Sequence, residues 1–548
     1  MNPGTSEMHF VAALDRVPEM RGVLCLFEGV CSGAADGYAR MLGKPAATLL
    51  HLGPGLANGL ANFHNARKAR SPIVSLVGEH STKHLEFDAP LTSDIEAFAR
   101  TVSEEVFRLG SAAEMGETAV RVMAAARRYP GRIAHLIVAA DYSWSESGAV
   151  GVMASEELAH NGLARPRQDG RVPRPLVPRP RGLCAFEEPA HDGHAAAREP
   201  GRDPRPLEPS RSGLRASEER PRVAAGGDLG RGAGNWGILL GGRTVRGQGL
   251  ALAARLGAAG WRVLIDRNAA RVEAGRGRYQ PPRMEYFPGP AQAQLTGLTD
   301  LVLLEAKAPV SFFGYPDEAS YLVPSGCRVH ELAGIEEDGT AALEELVASL
   351  GLGPAGWAEP EAAMVPEDGP LTLEAIGQAV AALLPEGAIV SDEMVSSGPP
   401  VLAALPRAAW FDYLPVTGGS IGQGMPVGVG AAVACPGRKV VVLEGDGSAM
   451  YTPQSWWTMA REGLDVVTVI FANRRYRILD IEMRRTGANG FGAQSEAMVD
   501  IGRPELDFVQ VARGMGVAAV RVETAGEFVR EFGAAMRERG PRVIEAVI

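Results

Sequence analysis

The sequence predicts an α/β protein built from three doubly wound parallel-sheet domains. Short apolar runs alternate with amphipathic stretches along 1–148, 236–353 and 371–548. Strands alternating with helices in this way imply parallel sheets with crossover helices. A chain of 548 residues also exceeds one hydrophobic core. Two stretches that lack the alternation, 149–235 and 354–370, divide it into blocks.

In the first block Gly22–Phe27 reads as a strand, Gly29–Met41 as a helix and Ala46–His51 as a strand. Leu56–Ala69 reads as a helix, and Ile73–Val77 and Ile133–Ala139 as strands. The 161–234 stretch differs in kind, with 14 Arg and 11 Pro in 74 residues and no Lys. Proline removes donors and like charges repel, so this stretch is ill suited to a core. It reads as a disordered linker or as out-of-frame translation of a G+C-rich gene; an anion-binding arm is the third reading. In the middle block Gly237–Leu240, Trp261–Asp266 and Leu301–Leu304 read as strands and Gly249–Gly257 as a helix. The Pro/Glu/Gly-rich 354–370 stretch is a second linker. The last block opens with helix Leu373–Leu384 and strand Ala388–Val390, then helix Gly422–Ala434 and strand Lys439–Glu444. Helix Pro453–Glu462, strand Val466–Ala472, helix Glu527–Arg539 and strand Arg542–Val547 complete it.

A 46% hydrophobic fraction is ordinary for a globular chain. The net charge of −10 carries no nucleic-acid footprint. No apolar run reaches the ~18–20 residues of a membrane span, and no secretory leader pattern is visible. The five cysteines form no CxxC, so the expectation is a reduced cytoplasmic setting without a zinc site.

The chemistry-bearing pattern is Gly445-Asp446-Gly447-Ser448 followed, 27 residues after Asp446, by Asn473. A strand, a Gly turn and a helix bring backbone N–H groups to one point, which suits a phosphate. Asp446 and Asn473 fall at the carboxyl ends of two strands, where ligands bind in open α/β sheets. A carboxylate and an amide oxygen are hard donors suited to Mg²⁺ on a diphosphate. A second Gly-rich stretch, Gly418–Pro426, lets backbone approach a ligand closely.

With these motifs the chain resembles the thiamine-diphosphate (ThDP) enzymes of the acetolactate synthase and benzoylformate decarboxylase group, over 2–148 and 236–548. The resemblance implies a pyrimidine-binding domain (1–148), a middle domain (236–353) and a diphosphate-binding domain (371–548). It implies Asp446, Asn473 and the Arg475 carbonyl as Mg²⁺ ligands, with Gly445, Gly447 and Ser448 on the diphosphate. Gly419 and Ile421 match the positions that hold the aminopyrimidine. Glu28, in Phe27-Glu28-Gly29, matches the catalytic glutamate on the pyrimidine nitrogen. His51, before Leu52-Gly53-Pro54-Gly55, matches the active-site histidine of the decarboxylase branch, and Thr5 that branch's substrate-contacting serine. The implied partners are a small 2-oxo acid and further copies of the chain, in a homodimer or homotetramer with the site between subunits.

The chain departs from both patterns. Leu91 stands where acetolactate synthases carry a glutamine, and is expected to face the substrate. Ala308-Pro309-Val310 is followed by Phe312, Phe313, Gly314 and Tyr315, without the decarboxylase histidine. The middle block has no GxGxxG, so FAD is not supported. The expected function is a ThDP- and Mg²⁺-dependent 2-oxo acid decarboxylase or carboligase; the alternative is a catalytically impaired remnant or assembly subunit. Family chains begin with a helix and strand before the Asn2-Pro3-Gly4 turn. The expectation is therefore an N-terminally truncated first domain, less stable in a melting comparison than a chain extended upstream.

Overall fold

The structure is a computed structural model that describes residues 1–147, 229–230, 234–488, 490 and 492–548. The 149–235 linker reading therefore falls almost wholly outside the described residues. Three sheets form. The first holds β1 (Ala46–Leu50), β2 (Ile73–Glu79), β3 (Glu105–Arg108) and β4 (Ile133–Ala139), in the order β1-β2-β4-β3, all parallel. The middle sheet holds β5 (Trp236–Leu240), β6 (Arg262–Ile265), β8 (Asp300–Leu304) and β9 (Arg328–Ala333), in the order β6-β5-β8-β9, also parallel. The third contains β10 (Ala388–Glu393), β11 (Phe411–Pro415), β12 (Val440–Gly445), β13 (Val466–Ala472), β14 (Ala518–Val522) and β15 (Arg542–Val547). Its order is β14-β15-β13-β12-β10-β11-β7. The edge strand β7 (Val272–Ala274) comes from the middle stretch of sequence and pairs antiparallel with β11.

β4, β8, β11 and β13 are buried along their whole length, as strands covered on both faces should be. One predicted strand does not form. Among the described residues Gly22–Phe27 pairs with no strand of the three sheets; the Met1 amine donates to the Val23 carbonyl (2.7 Å) and the Cys25 N–H to the Met1 carbonyl (2.9 Å). Asn2 bridges Leu50 in parallel instead, beside β1.

The first and third domains meet through two helices, Glu28–Leu42 and Gly424–Ala434. Both carry glycines where they cross. A Cβ on Gly37 would strike the Val427 carbonyl, and one on Gly430 the Ala34 carbonyl. The backbones touch because no side chain keeps them apart. A buried polar network flanks this contact. Arg40 Nε donates to Asp36 Oδ1 (2.8 Å) and Nη2 to Asp36 Oδ2 (2.5 Å), with both side chains essentially inaccessible. Arg40 also reaches across to the Pro415 carbonyl (2.8 Å) and Thr417 Oγ1 (3.0 Å). Gln423 Nε2 donates to Asp36 Oδ2 (2.8 Å), and Ser71 Oγ to Asp36 Oδ1. Arg271 ties the middle stretch to this seam, donating to Asp412 Oδ1 (2.6 Å) and to the Met41 carbonyl (2.8 Å).

On β4, His135 is fully buried against the Phe63 ring (centroids 5.3 Å), and neither ring nitrogen has a partner. Burial pulls its pKa down to about 3, so it is neutral in the folded protein. The unfolded chain takes up this proton near pH 6.5. Stability is therefore complete above that pH and falls as pH drops below it. Replacing His135 with Phe should reduce the stability lost between pH 7 and pH 5 by about 2 kcal/mol in denaturant unfolding.

Candidate functional site

β12 ends at Gly445, and Asp446 opens the short helix Asp446–Ala449. Asp446 is buried. Its Oδ1 accepts the Gly447 N–H (2.8 Å) and its Oδ2 the Arg474 N–H (2.5 Å). Arg474 sits in the left-handed region (φ +58) just past Asn473, at the end of β13. Asn473 Oδ1 accepts the Arg475 N–H (2.9 Å). Burial pushes the Asp446 carboxyl up to about pH 6, and the N–H bonds from Arg474 and Gly447 offset part of that. Its bonds come from backbone N–H groups.

The Arg475 carbonyl accepts the Arg477 N–H (2.8 Å). Its guanidinium forks onto Asp480 and Glu496. A Cβ on Gly447 would collide with the Tyr476 ring, so the turn admits backbone alone. A buried carboxylate without a cation, an amide oxygen and a carbonyl in one loop cluster are the donor set of a hard divalent ion. These residues fit Mg²⁺ holding a diphosphate. Among the described residues no three His, Cys, Asp or Glu side chains gather as a metal group, so such an ion depends on amide and backbone oxygens.

The first domain supplies a second cluster. Glu28 opens the Glu28–Leu42 helix and is mostly buried. Asn58 Nδ2 donates to its Oε2 (3.0 Å). His51 precedes the Leu52–Ala69 helix, and its Nδ1 lies 2.8 Å from Glu7 Oε2. Glu7 also accepts the Gly4 N–H (2.7 Å), and burial raises its pKa. A Cβ on Gly55 would lie 3.4 Å from Glu28 Oε1 and 3.5 Å from His51 Cβ, while the His51 ring itself lies over Gly4. Leu52 has φ +52, which turns the chain sharply between His51 and that helix.

Between the clusters runs the Gly418–Gly422 loop. Gly419 (φ +79) is exposed, Ile421 half-buried. Asn65 and Ser420 bond in both directions (2.8 and 3.2 Å), and His64 Nε2 lies 3.2 Å from the Gly418 carbonyl. Asn62 Nδ2 donates to both the Gly29 (2.9 Å) and Gly422 (3.0 Å) carbonyls, tying the loop to the turn that carries Glu28. The Phe312 ring fills the space beside Gly419 that a Cβ would need.

The predicted residues thus fall into three groups. Gly445, Asp446, Gly447, Ser448, Asn473 and Arg475 form one. Gly419 and Ile421 form a second, joined to the first domain through Asn62 and Asn65. Glu28 and His51 form the third. Thr5 is exposed in the Thr5–Glu7 turn beside Glu7, and Leu91 is exposed in the 88–93 loop. No hydrogen bond or ion pair joins Glu28 to Asp446 or Asn473 among the described residues. Sequence reasoning missed Glu7, Asn62, Asn65 and Glu393. Glu7 alone left a signal, as an acidic residue two positions past Thr5 in a turn already singled out. Gly419→Ala should cost about 1–2 kcal/mol for the left-handed backbone alone, read as a lower melting temperature. Phe312→Ala in the same chain should recover only the part due to the ring collision.

Residues 1–101 match the family described as "Thiamine pyrophosphate enzyme, N-terminal TPP binding domain". Residues 401–546 match its counterpart, "Thiamine pyrophosphate enzyme, C-terminal TPP binding domain". Over 552 aligned residues the chain is 45% identical to the Mycobacterium tuberculosis protein named "Putative acetolactate synthase large subunit IlvX", covering 100% of this chain and 95% of that protein. It is 25% identical over 570 residues to a benzoylformate decarboxylase of Pseudomonas aeruginosa, covering 99% and 94%. Among solved structures, a ThDP-dependent 4-hydroxybenzoylformate decarboxylase of Rhodococcus jostii shares the fold with a TM-score of 0.73 at 21% identity, over 99% of this chain and 94% of that one. A benzoylformate decarboxylase from Polynucleobacter necessarius does so at 0.72 and 19%, over 100% and 94%.

Proposed function

We propose, from the premise that this chain belongs to the thiamine-diphosphate-dependent enzymes, that it cleaves or joins carbon–carbon bonds at a 2-oxo acid, with Mg²⁺ anchoring the cofactor. The observation that carries this reading is a mostly buried Glu28 at a helix start and a His51 at the next, each oriented by a bonded partner. The cofactor would be held by Gly445, Asp446, Gly447, Ser448 and Asn473 at its diphosphate and by Gly419 and Ile421 at its aminopyrimidine. The ion would take Asp446, Asn473 and the Arg475 carbonyl. When bound, ThDP supplies a nucleophilic carbon and an electron sink.

The chain's own residues divide the remaining work. Glu28 would hold and return a proton at the pyrimidine nitrogen; its mostly buried carboxylate is steadied by the Asn58 amide. His51, braced from behind by Glu7, would present Nε2 to the substrate carboxylate or the departing carbonyl oxygen. Thr5 would contact the substrate from the adjoining turn. Leu91, Phe312 and Phe313 would form its apolar side; all three are exposed within the single chain. A homodimer or homotetramer would bring Glu28 of one copy to Asp446 of another. A cytoplasmic location fits the free cysteines and the absence, among the described residues, of a helix long and apolar enough to cross a membrane. The alternative, an impaired remnant, is favoured by the Arg/Pro composition of 161–234.

Carbon dioxide release from pyruvate and benzoylformate, with and without ThDP–Mg²⁺, separates the two. Cofactor-dependent release that falls about 100-fold or more in Glu28→Gln is expected. No turnover with either substrate, together with a Glu28→Gln variant identical to wild type, would favour the remnant.

A further inference from the structure

Glu393 closes β10 opposite Glu444 of β12 and is almost wholly buried. Its carboxylate reaches beneath the glycine-rich loop. Oε1 accepts the Gly422 N–H (2.6 Å), and Oε2 accepts the N–H groups of Gln423 (2.8 Å) and Gly424. These donors lead into the Gly424–Ala434 helix, whose N-cap residue Gln423 makes no side-chain capping bond. Such donors need partners when buried. Gly424 has no room for a side chain, because a Cβ would strike the Glu444 carboxylate. The loop above contains two left-handed glycines, Gly419 (φ +79) and Gly422 (φ +88). Glycine loses the most conformational entropy on ordering, so such a loop needs external restraint to keep one shape. Asn62 and Asn65 hold the loop from the first domain, and Glu393 holds three successive N–H groups where it ends, those of Gly422, Gln423 and Gly424.

We infer that Glu393 is a positioning residue for the cofactor, holding the Gly418–Gly422 loop in the shape that receives the aminopyrimidine of thiamine diphosphate. The inference rests on the ThDP reading of that loop. Glu393 acts through backbone and makes no bond to Asp446 or Asn473, so its contribution belongs to one half of the cofactor. A loop ordered before binding removes an ordering cost from the association. The helix N-terminus that Glu393 fills is also closed to the diphosphate, which leaves the Gly445–Ser448 turn to receive it.

The test uses the full chain with Mg²⁺ and two calorimetric probes, ThDP and inorganic pyrophosphate. In Glu393→Gln one oxygen becomes an amide N–H facing other N–H donors. The ThDP Kd should rise about tenfold or more, equivalent to about 1.4 kcal/mol, while the pyrophosphate Kd stays within about twofold. Glu393→Asp keeps the charge but is one methylene shorter; it should fall between, and serves if the Gln variant does not fold. Wild-type ThDP affinity in both variants overturns the inference. So does equal loss of both probes, which marks general structural damage. A wild-type chain that binds pyrophosphate but not ThDP, or neither, overturns the cofactor reading itself and the inference with it.

Discussion

The buried Arg40–Asp36 pair and the glycine crossing beside it are the constraint on which the rest depends. Removing one partner of a buried pair leaves an uncompensated charge, at about 3–5 kcal/mol. Asp36 spends its two oxygens on Arg40, Ser71 and Gln423, while Arg40 continues to Pro415 and Thr417. Every one of these contacts lies near an element that carries site chemistry. Gln423 follows the loop with Gly419 and Ile421, and Asp36 sits on the helix that Glu28 opens. Close backbone packing at Gly37 and Gly430 then allows little slip between the two helices.

From that seam the two glycine turns are held by carboxylates that bind backbone. Glu393 holds three successive N–H groups where one glycine loop ends, at Gly422, Gln423 and Gly424, and Asp446 holds two around the other. Glu7 holds the Gly4 N–H and braces His51. Buried carboxylates are costly unless bonded, and backbone N–H groups at turns satisfy them without a second charge. Asp446 stays without a cation partner among its bonds, which suits it to a divalent ion in a way that Glu393, enclosed by its own loop, is not.

The middle domain contributes to the same surface. β7 completes the third sheet, Arg271 bonds Asp412, and the Phe312 ring lies against Gly419. Arg485 stacks over Phe287 (4.0 Å) and bonds Glu318 (3.0 Å), which fastens the Arg477–Arg485 helix to middle-domain residues. Aromatic rings of the middle domain thus line the loop that carries Gly419.

The sequence by itself determined the layer architecture, because apolar runs buried on both faces, such as Val466–Ala472 and Ile133–Ala139, read the same in any context. Its spacing also placed Asp446 and Asn473 just past the ends of two neighbouring strands, and Glu28 beside the start of a helix. Gly22–Phe27 misled, because strand-like composition cannot reveal that no neighbouring strand is available for pairing. Glu7, Asn62, Asn65 and Glu393 were illegible for a related reason. Asn62 and Asn65 bond backbone of the third domain, across 360 residues for Asn62 and Gly422, and only the packing of the two domains brings those partners within reach; Glu393 and Glu7 meet their partners at Gly422–Gly424 and His51 only once each domain has folded.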